Sequence, residues 1–353
     1  MRVLHILSKL DAGGIEKWLL DLSRNDDKHQ HYVLCISGEE GCWHSEFERV
    51  FTYPNIKSGK LKFLSNLRGF LTDNKFDIIH SHLYRFSAVI SLSLFGLNKK
   101  VICHSHNDKR VLYKNVNKLS PIFINGILSR FLFKATRTTN IAASSDAGDD
   151  LFGHQKFTVI RCGLSFNKQC NFISKDFNES FNKDKVKIVT IGSLTRQKNH
   201  EFLIRTLAHE DLENFELDII GEGELRGKLE KVINELGLQE RVKLLGVLNN
   251  PMDKIFSYDK FIFPSIYEGL GLALIEAQAS GIPCIISDTI PLDADIVSGN
   301  IKRVSLKDEK SWRDSLINFQ STVSPLDSMK LVLSSDFNIE NSIKALDECY
   351  GKL

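Results

Sequence analysis

The feature that most constrains the fold is an alternation of short apolar segments with helical segments, which occurs in two successive blocks. The first block predicts six strands, at residues 3–7, 32–36, 77–81, 101–104, 140–143 and 158–161. After a polar interval, the second block predicts five more, at residues 187–191, 216–220, 242–245, 261–264 and 283–287. Apolar strands that alternate with helices form parallel sheets covered on both faces. We therefore expect an α/β protein with two doubly wound, Rossmann-like domains.

The two blocks also set the expected domain boundaries. We expect a first domain over residues 1–165, a linker over 166–185, a second domain over 186–335 and a final helix over 336–353 that packs back on the first domain. A chain of 353 residues is about twice the usual length of one domain, which agrees with this division. Ligands of such sheets bind beyond the carboxyl ends of the strands, so the two domains are expected to face each other across a ligand-binding cleft.

Composition and charge narrow the possible functions. Hydrophobic residues make up 42% of the chain and charged residues 25%, which excludes a disordered or fibrous protein. Residues 1–165 hold 23 Lys and Arg against 15 Asp and Glu, whereas the remainder holds 23 against 29. The first half is therefore expected to face an anionic partner. The seven cysteines include no closely spaced pair and no leader segment is evident, so we expect a reducing, cytoplasmic location.

The most basic stretch runs from Lys109 to Arg137 and contains seven Lys and Arg, no acid and many apolar residues. One interpretation is a helix that lies on the anionic inner face of a membrane, as a peripheral contact. The other is a core helix with a solvated basic face. Nucleic acid is not expected as a partner, because no binding motif accompanies the patch. No apolar segment reaches the roughly 18 residues of a membrane-spanning helix.

The most informative segment for chemistry covers residues 261–288, FIFPSIYEGLGLALIEAQASGIPCIISD. A predicted strand leads into the turn Gly269-Leu270-Gly271, and a helix follows from Leu272. Such a turn lets an anion approach the first N–H groups of the helix. Glu276 could accept from both hydroxyls of a ribose, and Glu268 from hydroxyls of a sugar. Alternatively, both are ordinary acids near a helix start.

With its AQASGIP continuation, this segment resembles the retaining glycosyltransferases of family 4, which have the GT-B fold. Further motifs fall in the expected order: Gly13-Gly14-Ile15-Glu16, the loop GSLTRQKN at residues 192–199, and Gly221-Glu222-Gly223. The resemblance covers nearly the whole chain. It is strongest to bacterial enzymes of capsule, exopolysaccharide or O-antigen assembly.

The resemblance implies the donor site. Lys198 would neutralise the leaving diphosphate, Gly14 and Gly192 would let it approach, and Gly221 and Gly223 would lie at the base. Many family members carry an arginine where this chain has Ser193, and Arg196 is the expected substitute. Glu276 would hold the ribose, and Glu268, with the turn at 269–272, the sugar and phosphates.

The implied reaction moves a hexose-type sugar from a nucleotide-diphosphate donor, with UDP the better guess, to a hydroxyl of a lipid-linked oligosaccharide. The departing phosphate can take the proton of the acceptor, and the anomeric configuration is retained. Two other functions remain open. A sugar-nucleotide 2-epimerase would convert the donor without an acceptor, and a non-catalytic partner subunit would neither bind nor convert it.

Four histidines follow two neighbouring predicted strands. They are His80, His82, His104 and His106, and parallel strands bring them to one edge of the sheet. The resemblance places His106, or else His104, beside the reacting carbon, and His82, His104 and Glu16 on the acceptor side. Zinc is an alternative, but no cysteine or carboxylate is spaced to complete a site. Asp293-Ala294-Asp295 lies beyond the donor loop, so neither a metal nor another cofactor is expected.

Overall fold

The computed structural model describes residues 1–11, 13–108, 120–166, 185–248 and 251–353. They form two compact units, one made of Met1–Gly163 with Ile339–Leu353 and the other of Leu164–Asn338. The predicted linker lies almost wholly outside the described residues. The helix predicted at the end of the chain belongs to the first unit.

The first unit is built on a seven-stranded parallel sheet with the order β3-β2-β1-β4-β5-β6-β7. Its strands are β1 (Arg2–Leu7), β2 (Gln30–Cys35), β3 (Val50–Phe51), β4 (Ile78–Ser81), β5 (Lys100–Ser105), β6 (Thr139–Ala142) and β7 (Thr158–Val159). Its α-helices are α1 (Gly14–Asn25), α2 (Lys60–Asp73), α3 (Phe86–Ser93), α4 (Pro121–Ala135), α5 (Ser145–Phe152) and α12 (Ile339–Gly351). Helices α1 and α12 contact each other, so the end of the chain completes this unit.

The second unit is built on a six-stranded parallel sheet with the order β10-β9-β8-β11-β12-β13. Its strands are β8 (Val186–Ile191), β9 (Phe215–Ile220), β10 (Val242–Gly246), β11 (Lys260–Phe263), β12 (Cys284–Ser287) and β13 (Ile301–Val304). Its α-helices are α6 (His200–Thr206), α7 (Arg226–Glu235), α8 (Met252–Ile255), α9 (Leu272–Ser280), α10 (Glu309–Asn318) and α11 (Pro325–Leu333). Apolar side chains fill both faces of the sheet.

Both sheets reverse their strand order at one point. The chain winds outward from β1 to β3 and then returns to place β4 on the other side of β1. It does the same in the second unit, where β11 lies on the other side of β8. The loops that follow the two central strands therefore diverge, and the crevice they leave is the usual ligand site of a doubly wound sheet.

Two strands were not predicted, for different reasons. Strand β3 has only two residues, which is too short for an apolar run to be recognised. Strand β13 has the sequence IKRV and lies at the sheet edge, where one side chain is exposed and two are half-buried. Helix α3 ends at Ser93, and Phe95 beyond it is 64% exposed. Among the described residues, no helix is long and apolar enough to cross a bilayer.

Candidate functional site

The loops after β8 and β11 meet at the point where the second sheet reverses its order. The N–H of Ile266 donates to the Gln197 carbonyl at 2.8 Å, and the Gln197 side-chain amide donates to the Tyr267 carbonyl at 3.0 Å. The Asn199 amide donates to the Pro264 carbonyl at 3.2 Å. These bonds hold together two segments about 70 residues apart in the sequence and fix the position of the side chains between them.

Lys198 and Glu268, both predicted site residues, form an ion pair in this crevice. The Lys198 Nζ lies 2.6 Å from Glu268 Oε1 and 4.8 Å from the centre of the Phe263 ring. The side chain of Lys198 is 17% exposed and that of Glu268 is 6% exposed. Charge–charge interactions are stronger in such a partly desolvated site than in water. The expected cation, Lys198, and the expected carboxylate, Glu268, therefore lie together. In this structure the carboxylate is paired with the lysine.

Glycines allow the loop after β9 to pack against the loop after β8. Gly221 has a φ of +147°, and a Cβ there would overlap the carbonyl oxygen of Gly192. A Cβ on Gly223 would lie only 2.6 Å from the Leu194 carbonyl oxygen. A Cβ on Gly192 would meet the Lys198 side chain at 3.0 Å. The three predicted loop glycines therefore serve close backbone approach, and Gly192 leaves room for the lysine.

No side-chain hydrogen bond from the described residues caps the first turn of α9, whose N-cap residue is a glycine. Gly271 precedes the first helical residue, Leu272, with a φ of +80°, and a Cβ there would lie 2.9 Å from the Phe263 ring. The N–H groups of the first turn can bind an anion, favoured by the helix dipole. Gly269 and Leu270 are buried in the turn, and Glu276, which is 8% exposed, lies in the second turn of the helix.

The loop at 192–199 has an exposed side and a buried residue behind it. Ser193 and Arg196, the residue expected to replace the family arginine, are both exposed. His200, the residue directly after the loop, is 2% exposed and lies behind it, where its Nε2 is 3.3 Å from the Gly192 carbonyl oxygen. Burial and the Lys198 charge lower the pKa of His200 to about 4. His200 is therefore a neutral residue that packs behind the loop, and sequence reasoning missed this role.

In the first unit, the glycine motif after β1 caps helix α1. Gly13 is the N-cap residue and Gly14 is the first helical residue. The Glu16 carboxylate folds back toward Gly13, at the position that a Cβ there would occupy. Burial raises the pKa of Glu16 to about 7, and the charge of Asp11 adds to the rise. A carboxyl group with this pKa can hold or release a proton near neutral pH.

All four predicted histidines lie on one face of the first sheet, together with two that were not predicted. We call this set the imidazole cluster: His5, His31, His80, His82, His104 and His106. Because side chains alternate along a strand, residues two apart share a face, and the register pairs His5 with His80. Trp18 of α1 covers the cluster, with its ring centre 5.3 Å from that of His104.

Hydrogen bonds join the cluster into two rows. The contacts of the first row are Asp26 Oδ2 to His31 Nε2 at 3.0 Å, His31 Nδ1 to His5 Nε2 at 2.9 Å, His5 Nδ1 to His82 Nε2 at 3.0 Å, His82 Nδ1 to His106 Nε2 at 2.8 Å, and His106 Nδ1 to Cys162 Sγ at 3.5 Å. Those of the second row are Tyr350 Oη to His80 Nδ1 at 3.0 Å and His80 Nε2 to His104 Nδ1 at 3.2 Å. His104 Nε2 is buried without a partner among the described residues.

The cluster is uncharged over most of its length. Burial lowers the pKa of His106 to about 3, and it lowers the pKa values of His5, His80, His82 and His104 well below the ordinary value. Neutral imidazoles can bind a metal ion, and two groups of three are close enough, one of them His82 with His104 and His106. Cys162, absent from the sequence argument, contacts His106 in the same region.

The residues that sequence reasoning missed here have a recognisable pattern. His5 and His31 lie inside β1 and β2, and side-chain alternation along neighbouring strands would have placed them on the face of His80. Asp26 follows α1 and Tyr350 comes from α12, so only the tertiary structure brings them close to the histidines.

The Asp-x-Asp motif lies in the second unit. Its Asp295 forms an ion pair with Arg303 at 2.6 Å and therefore has a structural role.

Two family models match consecutive parts of the chain. The model "Glycosyltransferase Family 4" matches residues 12–167, and the model "Glycosyl transferases group 1" matches residues 172–317. The two matches together span both units.

Three curated bacterial proteins are similar in sequence over most of their length. The putative glycosyltransferase EpsF of Bacillus subtilis (strain 168) is 32% identical over 89% of this chain and 86% of its own. The capsular polysaccharide biosynthesis glycosyltransferase CapH of Staphylococcus aureus is 27% identical over 99% and 98%. An Escherichia coli UDP-Gal:alpha-D-GlcNAc-diphosphoundecaprenol alpha-1,3-galactosyltransferase is 26% identical over 82% and 78%.

A solved structure supports the fold. The Anabaena protein Alr3699/HepE, in complex with UDP-glucose, superposes with a TM-score of 0.76 and 16% identity over 100% of both chains. The family models and the sequence relatives show which family the chain belongs to. The superposition supports the architecture of two doubly wound domains. The chain therefore belongs to glycosyltransferase family 4 and has the GT-B fold.

Proposed function

We propose that this glycosyltransferase moves a hexose-type sugar, with retention of configuration, from a UDP-linked donor to a hydroxyl of a lipid-linked oligosaccharide in bacterial surface polysaccharide synthesis. The names of CapH and of the E. coli galactosyltransferase support the pathway, the donor and the lipid-linked acceptor. The UDP-glucose complex of the Anabaena protein also supports the donor.

The observation that carries the proposal is the Lys198–Glu268 pair beside the first turn of α9. Breaking a sugar–phosphate bond adds negative charge to a diphosphate that is already anionic. Lys198 and the N–H groups after Gly271 can oppose that charge without a divalent ion, so we propose metal-independent transfer. Glu268, released when Lys198 turns to the phosphates, becomes an acceptor for hydroxyls of the sugar.

The remaining predicted residues complete the donor site. Gly192, Gly221 and Gly223 would let the nucleotide approach the backbone, and Glu276 would accept from the ribose. Arg196 supplies the second cation, and His106 remains the prediction for the histidine beside the reacting carbon. Glu16, His82 and His104 are assigned to the acceptor side, in the first unit.

A donor panel tests this proposal. The purified protein is mixed with UDP, GDP and their common hexose conjugates, and thermal shift identifies those that bind the folded state. The donor that binds is then incubated with and without a polyprenyl-diphosphate-linked sugar acceptor. We expect a glycosylated lipid with an unchanged anomeric configuration, read by NMR, in the presence of EDTA. Conversion of the donor without acceptor would instead indicate a 2-epimerase, and failure to bind any nucleotide would indicate a non-catalytic subunit.

We also propose peripheral association with the inner face of the membrane, supported by helix α4. This helix turns Gly126, Ser129 and Phe133 toward the protein. Its large apolar residues face outward, with exposures of 53% for Ile124, 56% for Ile127, 53% for Leu128 and 66% for Phe131. A contiguous outward apolar face is typical of a surface that contacts a partner or a membrane. A core helix with only a solvated basic face would present the opposite pattern.

Positive charge adjoins this face and favours an anionic lipid as the partner. An open pocket of about 650 Å³ is lined by Arg130, Lys134, Arg137 and Lys156 with His154, and no acidic residue lines it. Residues 109–119 of the basic stretch lie outside the described residues. A phosphate headgroup would meet the cations while the acyl region meets the apolar face.

Flotation with liposomes tests the membrane proposal. We expect binding to vesicles with 30% phosphatidylglycerol and little binding to pure phosphatidylcholine. The double change Ile127→Ser and Phe131→Ser should abolish most of the binding. Leu61→Ser is the matched control, because Leu61 is an 85% exposed apolar residue on α2, outside the patch. Equal flotation of both variants and the wild type would remove the assignment of the surface.

A further inference from the structure

The two hydrogen-bonded rows of the imidazole cluster determine where their protons lie. A neutral imidazole has one N–H donor and one bare nitrogen acceptor, and an ionised carboxylate can only accept. The side chains of His31 and Asp26 are 3% and 2% exposed. Because Asp26 cannot donate, the bond between its Oδ2 and His31 needs a proton on His31 Nε2.

That single requirement propagates along the first row. If His31 carries no second proton, its Nδ1 is bare, and His5 must then donate from Nε2. The same reasoning puts the proton of His82 on Nε2, and then that of His106. His106 Nδ1 is left bare and accepts from the Cys162 thiol, whose pKa is raised by burial. Every hydrogen bond in the row is then satisfied.

The second row has a preferred direction for a different reason. If Tyr350 donates to His80 Nδ1, His80 donates from Nε2 to His104 Nδ1, and only the His104 Nε2–H lacks a partner. In the opposite direction, both the Tyr350 hydroxyl proton and the bare His104 Nε2 would lack partners among the described residues. Each buried polar group left unpaired destabilises the folded state, so the first direction, which leaves fewer of them, is favoured.

We propose that Asp26 is a positioning residue that holds His106 in the Nε2–H tautomer through the three imidazoles between them. Both ring nitrogens of His106 are then engaged inside the protein. A role of Asp26 in sugar transfer rests on the proposed function. The positions of the protons in the cluster do not depend on it.

A bound zinc ion is the competing interpretation of the same geometry. It would need bare nitrogens on His82, His104 and His106 at once, and their nitrogens lie within 4.8 Å of one another. The candidate groups found among the described residues contain only neutral imidazoles, so the ion would bring a buried double charge without a counter-charge. The 2.8 Å contact between His82 and His106 is a normal hydrogen bond and is shorter than the roughly 3.3 Å between two nitrogens on tetrahedral zinc.

The test is the tautomer of each histidine, measured by long-range ¹H–¹⁵N correlation on protein with labelled histidine at pH 9, well above the ordinary pKa of an imidazole. We expect the Nε2–H form at all six positions of the cluster. Asp26→Asn keeps the shape of the side chain, and its amide oxygen can keep the bonds from the N–H groups of Lys28 and His29. The amide nitrogen then donates to His31, so the four histidines of the first row should switch to the Nδ1–H form.

The second row is the internal control, because His80 and His104 should not change in Asp26→Asn. Asp21→Asn is the matched control variant: Asp21 is also a buried carboxylate, it pairs with Lys17 at 2.6 Å, and it does not belong to either row. An Nδ1–H form of His106 in the wild type, or an unchanged first row in Asp26→Asn, would overturn the proposal. One equivalent of zinc in the purified protein, released by a chelator with a change in these resonances, would overturn it as well.

Activity provides the link to transfer. Asp26→Asn reverses the proton positions of His82 and His106, the histidines predicted at the acceptor and at the reacting carbon, so it should lower kcat at least tenfold. The donor KM should be unchanged, because the proposed donor residues lie in the second unit. Asp21→Asn should leave kcat within a factor of two. If both variants transfer sugar equally well while the tautomers switch as described, the positioning role is refuted. If the wild type transfers no sugar, the proposed function fails, and the tautomer measurement still decides the proton positions.

Discussion

The two units have the same strand order around their central strands. The side chains beside those strands differ in chemical character between the two units. In the second unit, the loops at the reversal point present a lysine, a helix start and glycine-lined backbone. In the first unit, the corresponding face carries six histidines, mostly held neutral by burial. One topology therefore supports a site built around an ion pair in one unit and an uncharged, hydrogen-bonded cluster in the other. The difference arises from loop residues after β8 and β11 in the second unit, and from residues within and directly after the strands in the first.

Removing the central tryptophan of either unit should have the largest effect. Trp18 and Trp312 are both fully buried, one in each unit, and each indole N–H has a partner. Replacement by alanine should cost about 3–5 kcal/mol of stability in each case. Hydrogen exchange read by mass spectrometry should show faster exchange only in the unit that carries the change. Equal loosening of both units would contradict their independence.

Lys198→Ala should separate the charged site from the uncharged one. We proposed that Lys198 opposes the charge of the leaving diphosphate, and on that proposal its loss should reduce kcat by about 10²–10³-fold. Lys231→Ala on α7 is the control, since Lys231 is exposed and its Nζ lies 3.7 Å from Glu235. Steady-state kinetics with saturating acceptor measure the effect. Wild-type turnover in Lys198→Ala would remove the assignment of the lysine to the phosphates.

Glu16 gives the first unit a pH dependence that can be measured as stability. Its pKa is about 7 in the folded chain against 4.5 without the fold, so the folded state binds this proton more tightly. Wild-type stability should therefore fall as the pH rises from about 4.5 to 7, by at most ~3 kcal/mol. Glu16→Gln has no such proton, and its stability advantage over the wild type should grow over the same interval.

Urea unfolding at pH 5 and pH 8 measures this difference. Glu348→Gln, at an exposed position on α12, is the control and should show no change in relative stability between the two pH values. An advantage of Glu16→Gln that is the same at both pH values would mean that Glu16 is ionised in the folded state throughout.

The glycines before α1 and α9 should differ in their tolerance of alanine, with the smallest effects of this series. Gly271 has a φ of +80° and contacts the Phe263 ring, so Gly271→Ala should cost about 1–2 kcal/mol. Gly13 has an ordinary extended φ of −122°, and an alanine there only displaces the end of the Glu16 side chain. Gly13→Ala should cost less than about 1 kcal/mol. Thermal unfolding of both variants ranks them, and an equal cost would contradict the strain assigned to Gly271.

The sequence was sufficient for the fold because apolar strands and glycine turns are local signals. The segments that form β1 and β11 are mostly apolar, and a turn that ends at Gly271 separates β11 from the helix that follows. The order of strands in each sheet follows from rules of parallel topology. Strand β13 was not predicted, because its sequence IKRV is not an apolar run. It forms a strand through its position at the edge of the sheet.

The site was only partly predictable, since partners come from distant segments. Lys198 and Glu268 were each expected, but their ion pair depends on two loops being joined by bonds through Gln197. His82 and His106 were expected at one edge, whereas their connection to Asp26 needs two further strands to be in register. Spacing along one segment carries no information about such a path.

The return of α12 to the first unit sets the order in which the protein can be assembled. Tyr350 is completely buried against His80, and the Ser342 hydroxyl accepts from Trp18, so residues from the end of the chain complete the first core. During synthesis, every residue of the second unit is made before these two. The second unit can therefore finish folding while the first, although begun earlier, still waits for its last helix.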